Sequence, residues 1–223
     1  MLTNDKRITI LCGHYGTGKT NVAVNLALAM AKTSEKVTVA DLDIVNPYFR
    51  TLDSAAAFDA AGIRLICSKF ANSNVDIPSL PPDLYAITDD KSHRVVVDVG
   101  GDDSGAMVLG RLAPAITAED DYQMLLVVNR FRPMTPDIPS TVEVRGEIEA
   151  ASGLRFTGIV NNSNLGAETT AETVLSSVSY AADLAAATGL PLVATTVDSR
   201  LYADLEGQID ALIPLTLQNN KPF

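Results

Sequence analysis

The sequence is poor in basic residues and in cysteine, and each shortage excludes a class of function. There are 17 lysines and arginines against 27 aspartates and glutamates, which gives a formal net charge of −10. Because DNA, RNA and anionic lipid surfaces are bound through clustered Lys and Arg, we expect no nucleic-acid or membrane partner. The cysteines, Cys12 and Cys67, form no CxxC or Cys/His cluster, so neither a zinc site nor a disulfide framework is indicated. Both cysteines are expected to be small core residues.

Long apolar runs are also missing. No stretch approaches the roughly eighteen uncharged apolar residues that suggest a membrane-spanning helix. The opening "MLTNDKRITI" becomes a predicted strand at once and leaves no room for the apolar segment of a signal peptide, so a cytoplasmic location is expected. A chain of 223 residues with no internal repeat and no marked boundary predicts a single domain over residues 1–223.

Short apolar runs that favour β-strands alternate with Ala/Leu/Glu-rich segments of helical character. The runs are RITILC (7–12), KVTVAD (36–41), IRLIC (63–67), RVVVDV (94–99), QMLLVVN (123–129), TGIVNN (157–162) and PLVATTV (191–197). The helical segments are 18–33, 103–113, 138–152 and 168–187. Continuous apolar runs are typical of strands that are buried on both faces of a parallel sheet. The alternation predicts a doubly wound α/β fold with a mostly parallel sheet flanked by helices.

Two proline-rich stretches do not fit this alternation. They are "ANSNVDIPSLPPDL" (71–84) and "NRFRPMTPDIP" (129–139). Both are predicted to be long ordered loops, which in such folds tend to lie near ligand sites.

The segment "GHYGTGKT", residues 13–20, satisfies the pattern GxxxxGK[ST] and lies between the first predicted strand and the first predicted helix. This setting is the one that a phosphate-binding loop requires. Glycines let successive backbone N–H groups converge on phosphate oxygens, and the helix N-terminus adds partial positive charge. The predicted nucleotide-binding residues of this segment are Gly13, His14, Tyr15, Gly16, Thr17, Gly18, Lys19, Thr20 and Asn21. Lys19 supplies a full charge to the β- and γ-phosphates, and the Thr20 hydroxyl is a ligand for Mg²⁺.

Acidic residues follow two of the predicted strands. Asp41 and Asp43 come directly after the second strand, and Asp98 comes after the fourth, followed by Gly100 and Gly101. Strand alternation points Asp41 and Asp43 the same way. In a chain with a phosphate loop, carboxylates at the ends of neighbouring strands are suited to Mg²⁺ and water chemistry.

Three segments together, "GHYGTGKTNVAVNLA", "KVTVADLD" and "VVVDVGG", resemble the deviant Walker A group of P-loop ATPases. This group includes ParA, MinD, the nitrogenase iron protein and related metallocentre-maturation ATPases. The resemblance covers roughly residues 6–200, is close at the three motifs and is loose elsewhere. It implies a P-loop NTPase fold with ATP and Mg²⁺ as cofactors.

The resemblance also implies a role for individual positions. Lys19 and Asp43 match the catalytic residues, Asp43 being the one that positions or activates the attacking water. Thr20, Asp43 and Asp98 match the residues around the metal, Asp98 as the Walker B acid. Gly100 and Gly101 match the glycines that sense the γ-phosphate, and Asn162 of "GIVNNSN" matches an asparagine that reads adenine.

The sequence departs from the group at positions 14 and 15. The signature lysine, which crosses a dimer to touch the partner's nucleotide, is replaced by His14, and the following glycine is replaced by Tyr15. A nucleotide-driven homodimer therefore cannot be assumed. Three hypotheses account for the pair. His14 is a pH-sensitive substitute that contacts phosphate, Tyr15 stacks on or hydrogen-bonds a ligand or partner, or both side chains pack against "NPYFR" (46–50).

Three arginines are further candidates for a charge near the phosphates. Arg50, Arg130 and Arg132 lie in segments that leave strand ends, where the ligands of doubly wound sheets bind. An arginine in a loop is usually solvated, so none of the three is assigned a catalytic role.

The matched set of loop, acids and glycines favours a slow Mg²⁺-dependent ATPase that acts as a switch on a partner protein. Its task would be cofactor or metallocentre maturation, or protein positioning. One alternative is an ATP-dependent enzyme, ligase-like or kinase-like, that acts on a small molecule, with the two proline-rich loops as walls of a second pocket. The other is an adaptor that holds ATP without hydrolysing it.

The missing signature lysine generates a first prediction. His14→Ala should reduce ATP turnover far less than Lys19→Ala. Lys19 carries the charge at the phosphates, whereas position 14 does not have the signature lysine that acts across a dimer. Steady-state ATPase assays on both variants measure the difference. Equal losses would contradict this assignment.

Overall fold

The computed structural model describes residues 6–33, 36–42, 54–67, 82–101 and 103–217. Within them, eight strands form one sheet in the order β3-β2-β4-β1-β5-β6-β7-β8, and every neighbouring pair is parallel. The strands are β1 Ile8–Cys12, β2 Val37–Leu42, β3 Arg64–Cys67, β4 Arg94–Val99, β5 Tyr122–Val128, β6 Gly158–Asn161, β7 Leu192–Asp198 and β8 Leu212–Leu215. All seven predicted strands are present, and the predicted α/β fold is confirmed.

Helices cover both faces of the sheet. They are α1 Lys19–Ala31, α2 Ala55–Ala60, α3 Ala86–Asp89, α4 Asp103–Glu119, α5 Ile138–Ser152, α6 Ala171–Leu175, α7 Val178–Thr188 and α8 Tyr202–Leu205. On one face, Leu109 of α4, Leu184 of α7 and Ile10 of β1 belong to the same hydrophobic core. On the other face, Val22 of α1 packs with Leu11 of β1. Alternate residues of the central strand therefore enter two separate cores, as expected for a strand buried on both faces.

The strand order fixes where a ligand can bind. β1 lies between β4 and β5, so the chain first winds towards β3 and then returns across β1 towards β8. In open parallel sheets the crevice at the carboxyl ends of the strands, where the winding direction reverses, is the usual ligand site. The phosphate loop leaves β1 at this edge, beside the ends of β4 and β5.

Two predicted elements differ from the structure. The helical segment 168–187 is divided into α6 and α7 at Ser176 and Ser177. The buried Ser177 hydroxyl donates to the Val174 carbonyl and accepts from Asn161 Nδ2, which competes with a continuous helical ladder. The other difference is β8, "LIPL", which is not predicted from the sequence because proline is atypical of strands. Pro214 is tolerated because β8 is an edge strand of the sheet.

The loops and cysteines are partly as expected. Residues 129–137 form an ordered connection before α5, whose N-cap is Asp137, with its carboxylate accepting from the Ser140 amide. Of the other proline-rich stretch, residues 71–81 lie outside the described residues. Cys12 is buried, as predicted, but Cys67 at the end of β3 is only partly buried, so its assignment to the core was wrong.

A buried ion pair joins the start of β1 to the end of α4. The Arg7 guanidinium donates to both carboxylate oxygens of Glu119 and also to the carbonyls of Ile87 and His93, at 2.9 and 3.2 Å. Both charged side chains are less than a tenth exposed. Hydrogen bonds from Arg7 hold the pKa of the Glu119 carboxyl below its usual range, although burial acts in the opposite direction.

This pair generates a stability prediction. Glu119→Gln should destabilise the protein at pH 7 by about 3 kcal/mol, because it leaves the Arg7 charge buried without its counter-ion. A carboxyl with a lowered folded-state pKa contributes stability above its unfolded pKa of about 4.3, and loses that contribution as the pH falls through the folded-state pKa. The gap between wild type and variant should therefore close in acid.

Urea unfolding at neutral and acidic pH measures this gap, with the exposed Glu147→Gln of α5 as the control. A gap that stays the same at every pH would contradict the assignment of the loss to the ion pair.

Candidate functional site

The phosphate loop runs from Gly13 to Gly18 and delivers the chain into α1 at Lys19. Gly13, Gly16 and Gly18 all have positive φ, at 150°, 76° and 85°. Gly18 is the N-cap residue of α1, lies in the left-handed region and, as a glycine, has no side chain with which to cap the helix. Backbone donors and the positive end of the helix dipole are thus directed to the same place, which is the arrangement that an anion requires.

Lys19 is held across this loop by the backbone of His14. The His14 carbonyl accepts from Lys19 Nζ at 3.1 Å and from the Thr17 hydroxyl at 2.9 Å. Lys19 and Thr20 are both buried, at 6% and 8% exposed. The ammonium group therefore already lies over the loop, close to where it would meet a phosphate.

The side chains of His14 and Tyr15 differ in their surroundings. His14 Nδ1 is 3.4 Å from the Tyr15 carbonyl, and the Tyr15 side chain is 53% exposed. Residues 46–50, against which the pair was expected to pack in one reading, lie outside the described residues. The three readings of the pair remain predictions.

Two acids meet beside the loop. Asp41 of β2 and Asp98 of β4 are register partners, and Asp98 is also the partner of Leu11 in β1. The sequence places both acids after their strands, but Asp41 lies within β2 and Asp98 within β4. Both acids are buried, at 5% and 1% exposed. Asp43 lies outside the described residues.

The pKa of Cys12, the last residue of β1, is affected by the charged groups at this edge. Burial raises the pKa of its thiol above the usual range; Lys19 acts to lower it and Asp98 to raise it further. The thiol is therefore protonated at neutral pH, and it is unsuited to act as a nucleophile or a metal ligand.

Gly101 brings the end of β4 against the phosphate loop. A Cβ at this position would lie 2.5 Å from the Tyr15 amide nitrogen and 2.7 Å from its Cα. Real Cβ atoms do not approach backbone so closely, so only glycine fits here. The predicted glycine at 101 is thus in contact with the loop whose ligand it is expected to sense.

Asn162 holds the loop from the other side. Its Nδ2 donates to the Thr17 carbonyl at 2.7 Å, and its Oδ1 accepts from the Thr196 hydroxyl at 2.6 Å. The side chain is 5% exposed and lies directly against Gly18. Its predicted role as a reader of adenine remains a prediction; what the structure shows is a positioning role, because its amide links the loop to β7.

The sequence reading missed the polar network behind Asn162. Asn129 Oδ1 accepts from the Phe131 and Asn164 amides, its Nδ2 donates to the Asn164 carbonyl, and Asn161 Oδ1 accepts from the Ser163 amide. The run "NNSN" signalled polar residues at a strand end, but its partners are distant in sequence. The network fixes the chain after β5 and β6 at the edge where the phosphate loop lies.

The two arginines of the 129–137 loop diverge. Arg130 points towards the helices, where its Nη1 donates to the Ser176 carbonyl at 2.6 Å and its guanidinium lies over the rings of Phe131 and Tyr180. Arg132 instead lies beside Gly16 of the phosphate loop.

The residues present fit a nucleotide better than they fit a metal alone. The glycine cradle, the N-terminus of α1 and Lys19 could hold an anion, and Thr20 and Asp98 could offer oxygen ligands beside it. Among the described residues, no group of three or more His, Cys, Asp and Glu side chains could hold a metal ion. The predicted metal set of Thr20, Asp43 and Asp98 relies on one residue outside that part of the chain.

Comparisons with known proteins agree with this geometry. A ParA family model, described as NUBPL iron-transfer P-loop NTPase, matches residues 3–62, which include the phosphate loop. FtsY from Mycoplasma mycoides is similar with a TM-score of 0.53 and 17% identity, over 85% of this chain and 59% of that one. FtsY from Thermotoga maritima has a TM-score of 0.52 and 17% identity, over 83% of this chain and 59% of that one.

A third similar structure is the Signal Recognition Particle 54 kDa protein from Aeropyrum pernix K1 in complex with GDP. It has a TM-score of 0.50 and 17% identity, over 87% of this chain and 42% of that one. This chain thus spans less than two thirds of the length of these three relatives. Comparison with curated proteins gives no significant match.

These findings confirm the resemblance and the fold that the sequence indicated. The fold is that of P-loop NTPases. At this identity the solved structures show the fold alone. In the described part of the chain no helix has the length and apolar character needed to span a bilayer.

Gly101 generates the prediction of this site. Gly101→Ala should weaken Mg²⁺-ADP binding at least about tenfold, because its Cβ would displace the Tyr15 backbone and distort the loop, at a cost of roughly 1.4 kcal/mol or more in binding. Gly146→Ala in α5, where an added Cβ meets nothing within 4 Å, is the matched control. Calorimetric titration measures both affinities. Unchanged affinity in Gly101→Ala would contradict the close approach of β4 to the loop.

Proposed function

We propose that this protein is a Mg²⁺-dependent ATP-binding protein and a slow ATPase that acts as a nucleotide switch for a partner protein. The observation that carries the proposal is the phosphate loop itself. Its glycines, the N-terminus of α1 and the buried Lys19 are arranged to hold one anion, and Asp98 lies at the neighbouring strand end. An ordinary glycine turn has no need of a buried lysine held by the loop's own backbone.

Each residue of the site has a chemical task in this proposal. The amides of the loop and Lys19 bind the phosphate oxygens and stabilise the negative charge that develops on the γ-phosphoryl group. Thr20 and Asp98 would hold Mg²⁺ through their side-chain oxygens, and the bound ion would neutralise charge on the phosphates. Asp43, assigned from the resemblance, orients the attacking water.

The contact at Gly101 supports a switch. The backbone of residues 14 and 15 packs on Gly101, and α4 begins two residues later at Asp103. A shift of the loop when the γ-phosphate is bound or lost would therefore push on the start of α4. Coupling of this kind, from a phosphate to a neighbouring segment, is how nucleotide switches report their state.

ATP is proposed as the nucleotide on the basis of Asn162, which the resemblance assigns to adenine. Asn162 already bonds to Thr17 and Thr196 through one donor and one acceptor. An amide carries a second hydrogen and a second lone pair, so this side chain can serve both the loop and the base.

Transport of iron is not carried over from the description of the matched family. The chain has two cysteines, which lie at the ends of separate strands, and Cys12 is a buried, protonated thiol. A cluster site needs several thiolates directed at one point. The proposal is therefore a switch that acts on a partner protein, with a homodimer as one form of assembly.

The proposal generates a test with separable steps. Wild type should bind Mg²⁺-ATP and hydrolyse it slowly, whereas Asp43→Ala should keep nucleotide affinity within about threefold and lose turnover by roughly a hundredfold or more, as for loss of a group that acts mainly in the transition state. The exposed Asp183→Ala of α7 is the control and should behave as wild type.

Binding is measured by calorimetry and turnover by phosphate release, each with ATP and GTP. Absence of nucleotide binding by wild type would refute the proposal. Full turnover by Asp43→Ala would refute the assignment of the water-orienting acid. Preference for GTP would refute the role of Asn162.

A further inference from the structure

The loop after β5 places an arginine on the phosphate loop. Residues 129–135 fold back on themselves, with the Arg132 amide donating to the Asn129 carbonyl at 3.1 Å and the Thr135 amide donating to the Arg132 carbonyl at 3.2 Å. A Cβ on Gly16 would lie 3.6 Å from both Cδ and Nε of Arg132 and 4.0 Å from Cζ. The side chain therefore lies beside Gly16, close enough that an alanine at position 16 would be in ordinary van der Waals contact with it.

Arg132 differs from the other described arginines in its partners. Its Nε is buried and, within the described part of the chain, has no hydrogen-bond acceptor. Every other described arginine has at least one hydrogen bond, ion pair or electrostatic interaction: Arg7, Arg64, Arg94, Arg111, Arg130, Arg145, Arg155 and Arg200. Buried donors in native proteins are nearly always satisfied, and a charged one is costly to leave without an acceptor.

The neighbours of this guanidinium indicate what acceptor it would take. The guanidinium lies beside Gly16 of the phosphate loop. The Lys19 ammonium lies over the same loop, whose backbone directs N–H groups inward. Arg132, Lys19 and the N-terminus of α1 all flank the same loop, so an anion held by the loop would be attracted by each of them. A planar guanidinium is well suited to phosphate oxygens, which it can bind through two parallel hydrogen bonds.

We propose that Arg132 binds phosphate oxygens of the nucleotide from within the same chain, and so supplies a second cation at a loop that has histidine at position 14. This inference rests on the proposed function. It names an additional binding residue for the same site, one that is contributed by the connection after β5 rather than by a partner copy.

Arg130 provides the matched control. It lies two residues away in the same loop, but its guanidinium is committed to the Ser176 carbonyl and to aromatic rings. Loss of charge at either position changes the net charge of the protein equally. A difference in nucleotide affinity between the two variants therefore reports on location rather than on overall charge.

The experiment compares wild type with Arg132→Gln, Arg132→Lys and Arg130→Gln by calorimetric titration with Mg²⁺-ADP and Mg²⁺-ATP. Arg132→Gln, which keeps the packing over Gly16 but not the charge, should lose about tenfold or more in affinity for both, as for a charged hydrogen bond to phosphate. Arg132→Lys should recover part of that loss. Arg130→Gln should stay within about threefold of wild type.

Thermal unfolding without nucleotide separates binding from structure. Removal of a cation that has no acceptor beside the phosphate loop should leave the melting temperature of Arg132→Gln equal to wild type or raise it, whereas a packing role would lower it in both Arg132 variants. Wild-type affinity in Arg132→Gln, or a matched fall in affinity and melting temperature that lysine does not rescue, would overturn the inference. If wild type binds neither nucleotide, the proposed function fails and this inference fails with it.

Discussion

The site depends on how tightly the surrounding strand ends press on the phosphate loop. Gly13 lies against the Val127 carbonyl of β5, Gly18 against the Asn162 amide after β6, and Gly101 after β4 against the Tyr15 backbone. An added Cβ would clash with backbone at Gly13 and Gly101 and with the Asn162 side chain at Gly18, so the loop is closely packed by its neighbours before a ligand arrives. Donors held in advance bind an anion without the cost of ordering them, which is what a binding loop requires.

The charge of the site is opposite to the charge of the whole protein. The chain carries a net charge of −10, yet Lys19, Arg132 and the N-terminus of α1 come together at one edge of the sheet. An isolated positive site on an acidic protein favours a small anion over an extended polyanion, which would be repelled by the remaining surface. This contrast agrees with a nucleotide ligand and gives no support to a nucleic-acid partner.

The features that could be predicted are those encoded by residues close together in the sequence. Glycine spacing, the lysine and the strand-loop-helix order identified the phosphate loop, and the apolar run before Asp98 placed that acid at a strand end. The rest depends on distant pairs. Asn162 bonds to the loop across 145 positions of sequence, and Arg132 is brought to the loop only because β5 lies beside β1. Strand β8 was not predicted because it contains Pro214. Residue propensity and motif spacing do not predict such contacts, because the contacts form only when the fold brings separate strands to a common edge.

Hydrogen–deuterium exchange with and without Mg²⁺-ADP tests the central claim most directly. If the phosphates lie in the loop, the amides of residues 15–20 become their donors and should exchange much more slowly in the bound protein, at least about tenfold at saturating nucleotide. The amides after β4, which touch the loop through Gly101, should gain protection with them. Tight binding of ADP with no added protection in residues 15–20 would show that the nucleotide lies elsewhere and would contradict the account.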